Sequence, residues 1–142
     1  MEITVKSYAE LTRDELFAIL HARVAVFVVE QQCPYQEVDA QDREALHVCL
    51  WEDGELVAYL RAFVRDEQTA QIGRVLTLRR GCGYGTPVLR AGIRAARERL
   101  GRQKIYIEAQ TYAVGFYEKE GFVTCSAEFL EDGIPHVQML LQ

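Results

Sequence analysis

Arg80-Gly81-Cys82-Gly83-Tyr84-Gly85 is a glycine-rich run that leads through Thr86-Pro87 into a stretch with helical apolar spacing. Alternating glycines let a backbone fold tightly and approach an anion, and a helix N-terminus offers it unpaired N–H groups. The chemistry suggested is phosphate binding; a merely tight connection is the other reading. The run lacks the Lys-Ser/Thr of a P-loop and fits G-x-G-x-x-G poorly, which weighs against the nucleotide folds built on those loops. Three side chains are candidate proton acceptors. Glu108 ends an apolar strand, while His47 and His136 each open one, and an imidazole titrates near neutral pH. A lone histidine is more often structural. Glu30, Glu37, Asp39 and Asp42 form an acidic segment. It either lines a site for a cationic molecule or is a solvated face.

Such residues need a frame. Ile3 and Val5 alternate with polar neighbours and predict a strand over Met1–Tyr8. Thr12 and Glu15 form a capping box, and Leu16, Leu20, Val24 and Phe27 predict a helix from there to about Val29. Residues 31–43 hold Pro34 and several acids and read as an irregular loop. Leu46–Trp51 and Glu55–Val64 read as strands joined by Asp53-Gly54, the favoured type I′ hairpin turn. Ala70–Leu78 is a further strand. Thr86 and Pro87 suit a helix cap and first turn, with Leu89, Ile93, Ala96 and Leu100 as the apolar face up to Gly101. Then come a strand over Lys104–Ala109 and a short helix from about Ala113 to Glu120. Strands over Phe122–Phe129 and Val137–Leu141 follow, bridged by the turn Glu131–Pro135. The order β-α-β-β-β-α-β-α-β-β predicts the α/β (α+β) class: a central mixed sheet flanked by helices.

The chain has 142 residues, 49% hydrophobic and 26% charged, which fits a single folded domain over 1–142. Its net charge of −5 argues against nucleic acid as a partner. No apolar run approaches a membrane span, and acids stand where a signal peptide would be basic and then apolar, so a cytoplasmic location is expected. Cys33, Cys49, Cys82 and Cys125 are isolated, without a C-x-x-C pair. They read as free thiols, and no metal is expected.

Ile72-Gly73-Arg74-Val75-Leu76-Thr77 followed by the R-x-x-G-x-G run resembles the coenzyme A loop of the GNAT acetyltransferases. Phe116-Tyr117-Glu118-Lys119-Glu120-Gly121-Phe122, some thirty residues on, resembles that superfamily's second hallmark. Arg23, the segment Phe27–Asp39, and Glu131-Asp132-Gly133-Ile134-Pro135-His136 together look like the ElaA-like branch. The segment between Thr77 and Arg80 is about two residues shorter than the usual family loop. The resemblance implies a GNAT fold and transfer of an acetyl group from acetyl-CoA to a primary amine of a small molecule or peptide, without a metal. A non-catalytic acyl-CoA-binding sensor, or an interaction module, is the alternative on the same fold; a homodimer is an open assembly state.

The resemblance implies that Val75, Leu76 and Thr77 present backbone to the pantetheine arm, with the Leu76 N–H as the candidate oxyanion donor. Arg80, Gly81, Cys82, Gly83, Tyr84, Gly85 and Thr86 hold the pyrophosphate; Gln110 and Phe116 complete the cofactor wall. Tyr117 is matched to the acid beside the sulfur, packing on the sheet being its plainer role. Glu30, Tyr35, Glu37, Asp39 and His136 are expected at the acceptor amine. His47 and Glu108 stand as catalytic candidates.

Overall fold

The computed structural model describes Met1–Gln142. Strand β1 (Glu2–Ser7) leads to α1 (Arg13–Arg23), capped as expected by Thr12, whose side chain accepts from the Glu15 N–H. After Arg23 the helix changes gauge. Val24–Glu30 winds in wider π-helical turns, and the Cys33 N–H reaches back five residues to the Val28 carbonyl. The short helix α2 (Gln41–Glu44) then precedes β2 (Leu46–Glu52), β3 (Glu55–Val64) and β4 (Thr69–Thr77). Helix α3 (Gly85–Glu98), β5 (Lys104–Gln110) and α4 (Val114–Glu118) follow. The long strand expected over Phe122–Phe129 is instead two short pieces, β6 (Val123–Thr124) and β7 (Phe129–Glu131), before β8 (Ile134–Leu141). Asp53-Gly54 and Asp132-Gly133 each place two residues at positive φ, as a type I′ hairpin demands.

The strands form one sheet in the order β1-β2-β3-β4-β5-β8-β6, with β7 also on β8. Every pairing is antiparallel except β4 with β5. Side-chain alternation divides the core. On one face Val48, Leu60, Ile72, Ile107 and Met139 share a cluster with Val88, Leu89 and Ala96 of α3. On the other, Cys49, Tyr59 and Leu76 pack against Ile19, Ala22 and Val26. Gly92 faces the Leu60 methyls so closely that a Cβ would sit 2.7 Å from one, which fixes how near α3 lies to β3.

β4 carries one extra residue. Tyr59 faces Leu76, but Arg61 faces Gly73, and Arg74 takes a positive φ of 54°. Ile72 and Val75 therefore face the same side although three residues apart, the odd spacing an inserted residue creates. Beyond it the sheet opens. β4 pairs β5 only over Thr69–Gln71 with Lys104–Tyr106.

Candidate active site

The gap between β4 and β5 is the floor of a cleft of about 810 Å³. The Leu78 N–H donates to the Val57 carbonyl, which sets the phase of the β3–β4 ladder. In an antiparallel ladder, pairs that exchange hydrogen bonds alternate with pairs that do not. By that alternation Leu76 spends its backbone groups on Tyr59, while those of Val75 and Thr77 turn toward the gap. The expectation that Leu76 donates into the site is thereby corrected. Its side chain is buried under α1, and its N–H belongs to the sheet.

The gap ends at the glycine-rich turn. Gly81 and Gly83 have φ of +76° and +75°, and no atom lies within 4 Å of where either would carry a Cβ. The turn needs glycine for its backbone and has open space beside it. Helix α3 starts at Gly85, one residue before the expected cap. Thr86 and Pro87 lie inside its first turn, and no side chain caps Tyr84. The first N–H groups of α3 are thus left for a ligand, at the helix end that favours anions. Gly81, Gly83, Tyr84, Gly85 and Thr86 all line the cleft. Cys82 is exposed outside it, its thiol toward the Arg80 carbonyl. Arg80 lines the cleft while its guanidinium pairs with Glu30, so Glu30 sits at the turn rather than at the far end.

Gln110, Phe116 and Tyr117 stand on the opposite wall. The Phe116 ring lies 3.2 Å from the position a Gly85 Cβ would take, so the wall closes directly on the start of α3. Tyr117 packs edge-on to Phe116 and Phe122. Burial raises its phenol above the ordinary tyrosine value and keeps it protonated through neutral pH.

The far end of the cleft lies at the bulge. Gln71 is level with Tyr106, so Glu108 comes alongside Gly73 and Arg74. β5 pairs β8 with Glu108 opposite Gln138 and Gln110 opposite His136, which puts these four on one face. Phe129 faces His136 across the hairpin, so Glu131, two residues on, joins the same face. Tyr106 donates its hydroxyl to Glu108 at 2.9 Å. His136 donates from Nδ1 to the Ile134 carbonyl at 2.7 Å, leaving Nε2 3.5 Å from Glu131 Oε2. Tyr35 and Asp39 also line this end, the Tyr35 ring lying under the Arg74 guanidinium.

Two expected site residues belong elsewhere. His47 is fully buried on the α1 side. Its Nε2 donates to the Asp42 carbonyl at 2.8 Å, and Nδ1 takes the Tyr59 hydroxyl at 2.7 Å. Both nitrogens are spent, and burial lowers its pKa, so it cannot serve as a base in the cleft. Glu37 is 3% exposed and committed to Arg23 (3.0 Å) and Arg74 (2.5 Å). It belongs to a buried network in which Arg23 also holds Asp42, and Arg61 holds Asp39 and Asp42. Burial would push the carboxyls of Asp39 and Asp42 up, but hydrogen bonds and charge from these arginines outweigh it and hold both below the ordinary value. Three arginines and three acids balance, and they tie the loop after the π-helical segment to β3 and β4. Sequence reasoning missed Arg61. Its signal was a lone charge inside the otherwise apolar strand Leu56–Val64, a place that demands buried partners.

With this geometry in view, residues 8–142 match the family model described as an acetyltransferase (GNAT) domain. Protein ElaA of Escherichia coli K12 is 36% identical over 93% of this chain and 90% of its own, and the crystal structure of Escherichia coli ElaA superposes with a TM-score of 0.93 over the whole of both chains, at 33% identity. An acyl-CoA N-acyltransferase from Pseudomonas aeruginosa superposes with a TM-score of 0.92 at 40% identity, again over both whole chains. An aminoglycoside 6′-N-acetyltransferase crystallised with coenzyme A shares the fold at 14% identity and a TM-score of 0.73, over 96% of this chain and 95% of that one. The chain belongs to the GNAT acetyltransferase family, among the relatives of ElaA, and is an acyltransferase. No helix is long and apolar enough to cross a membrane.

Proposed function

We propose that this protein transfers an acetyl group from acetyl-CoA to the primary amine of a small molecule or peptide. The observation that carries the reading is the opening between β4 and β5, continuous with the uncapped start of α3. A pantetheine arm laid along Val75–Thr77 replaces the missing strand contacts, as an extended peptide does at a sheet edge. The turn Arg80–Thr86 holds the pyrophosphate through backbone N–H groups. The acyl end then lies toward the bulge, because the gap runs from the turn back along β4. A backbone N–H of the bulged segment, that of Val75, is the donor for the carbonyl oxygen as charge develops there. Tyr117 supplies a proton to the departing sulfur.

The acceptor end favours an ammonium. Glu108, Glu131 and Asp132 line it, and the arginines beside them are already engaged by Glu37, Asp39 and Asp42. Acetyl-CoA binding by calorimetry, followed by thiol release across a panel of primary amines, tests the reading. Saturable binding with turnover on at least one cationic amine is expected. Binding without turnover on any amine makes the protein an acyl-CoA sensor. Absence of binding removes the reading altogether.

A further inference from the structure

The geometry points to Glu131 as the group that takes the proton from the acceptor ammonium, with His136 as the next acceptor of that proton. This rests on the acetyltransferase reading above and assigns the base within the same cleft.

An acceptor arriving as R–NH₃⁺ must lose two protons before an amide and a free thiol can form. The balance is R–NH₃⁺ plus acetyl-S-CoA giving R–NH–acetyl, HS-CoA and one H⁺. One proton ends on sulfur; the other must leave through a group on the acceptor side. A base accepts the first from nitrogen, the freed lone pair forms the C–N bond, and the C–S bond breaks as sulfur leaves. His47 is excluded by its two hydrogen bonds, and Glu37 by its arginines. Asp39 is held by Arg61. Among the carboxylates lining this end, Glu108 already receives the Tyr106 hydroxyl. Glu131 is placed differently. It ends β7 at the Asp132-Gly133 turn, its side chain 44% exposed and lining the cleft, so an acceptor can reach it.

Its surroundings offer a path for the proton it takes. His136 has its tautomer fixed by the Ile134 carbonyl, so the lone pair on Nε2 faces Glu131. The Phe129 ring lies against the imidazole at 5.9 Å and limits its rotation. A proton taken by Glu131 has a second acceptor in Nε2. The titratable and charged groups facing Glu131 come from every neighbouring element: Glu108 on β5, Asp132 in the turn, His136 on β8 and Arg74 on β4. Burial and the charges of Glu108 and Asp132 raise its pKa, against the lowering effects of His136 and Arg74. A base tuned upward in this way is a better partner for an amine at neutral pH.

The test compares wild type with Glu131→Gln and His136→Gln, using the amine that gives highest turnover. Expected for Glu131→Gln is a loss of ~10²–10⁴ in kcat/KM at pH 7, the usual worth of a positioned base. Thermal stability and acetyl-CoA affinity stay unchanged. The pH profile carries the discrimination. Wild type plateaus between the base and the amine pKa; Glu131→Gln rises tenfold per pH unit and converges on wild type as the amine titrates. Acceptors with less basic amines show a smaller deficit. His136→Gln loses less, and its acid limb moves. Glu108→Gln lowers the pKa of the Glu131 carboxyl, read by carbon-13 NMR in the free enzyme. A Glu131→Gln enzyme with wild-type rate and profile overturns the assignment while leaving acetyl transfer intact. A full loss confined to His136→Gln also overturns it, in favour of the imidazole. If wild type itself acetylates no amine, the parent reading fails and this inference falls with it.

Discussion

Glu30, the last residue of the π-helical segment, is ion-paired with Arg80, the first residue of the glycine-rich turn. The two lie fifty positions apart and meet at the cleft rim, both largely exposed. A pyrophosphate at the turn competes with Glu30 for the same guanidinium. Glu30→Gln is expected to tighten acetyl-CoA binding by about two- to fivefold, matching an exposed pair worth up to ~1 kcal/mol. The gain should fade as ionic strength rises. Calorimetry at low and high salt reads both effects.

Gly83→Val tests the turn. A Cβ here has no protein atom within 4 Å, so the turn has room for it, but the positive φ is strained and the branched side chain fills the space an anion needs. Acetyl-CoA affinity should fall at least tenfold, about 1.4 kcal/mol. Unchanged affinity in a folded variant would move the phosphate site elsewhere.

Tyr117→Phe keeps the edge-on packing with Phe116 and Phe122 and deletes one hydroxyl. kcat and kcat/KM should fall together by ~10²–10⁴, with acetyl-CoA affinity nearly unchanged. Because burial raises the phenol, wild-type activity should show no decline assignable to this residue below about pH 10. Near wild-type turnover in the variant would make Tyr117 a packing residue.

The buried network sets acid stability. His47 has a lowered pKa in the folded state, so the unfolded chain binds more protons below about pH 6.5, its ordinary value. Stability from its neutral burial is full above that pH and falls as pH drops toward the folded value. Asp39 and Asp42 are lowered as well, and their contribution is lost only below about pH 3.8, their ordinary value. Denaturant titrations should therefore show two acid steps, and His47→Gln should remove the first. Arg23→Met leaves Glu37 to Arg74 and Asp42 to Arg61, so three acids share two arginines; the uncompensated buried carboxylate should cost about 3–5 kcal/mol. A loss below about 1 kcal/mol would mean that solvent reaches these acids.

Most of the frame was legible because its signals are local. The Thr12–Glu15 box, the Asp53-Gly54 turn and the apolar spacing of α3 each depend on a few adjacent residues. The turn at the head of the cleft was legible because a backbone motif makes it, at Gly81, Gly83 and Gly85. The site was not legible where distant elements make it. Nothing in the spacing of His47 tells that Asp42 and Tyr59 take both its nitrogens. Nothing near Glu37 tells that Arg23 and Arg74 enclose it. The bulge at Arg74 was also silent, since a non-glycine residue at positive φ carries no compositional mark. Without that bulge the phase of β4 is misread, and Leu76 takes the role that alternation gives to Val75.

The short seam between β4 and β5 has a mechanical consequence. Three backbone residue pairs, with α3 packed across the join, hold two plates together, one built on β1–β4 and the other on β5–β8. A molecule wedged along the open length would act as a keystone, carrying load between plates that otherwise meet at a hinge. Backbone amides of Val75 and Thr77, and those of Ile107–Gln110 that face the gap, should then exchange with solvent faster without acetyl-CoA than with it. The Thr69–Gln71 seam, already paired, should be the least affected part of either strand.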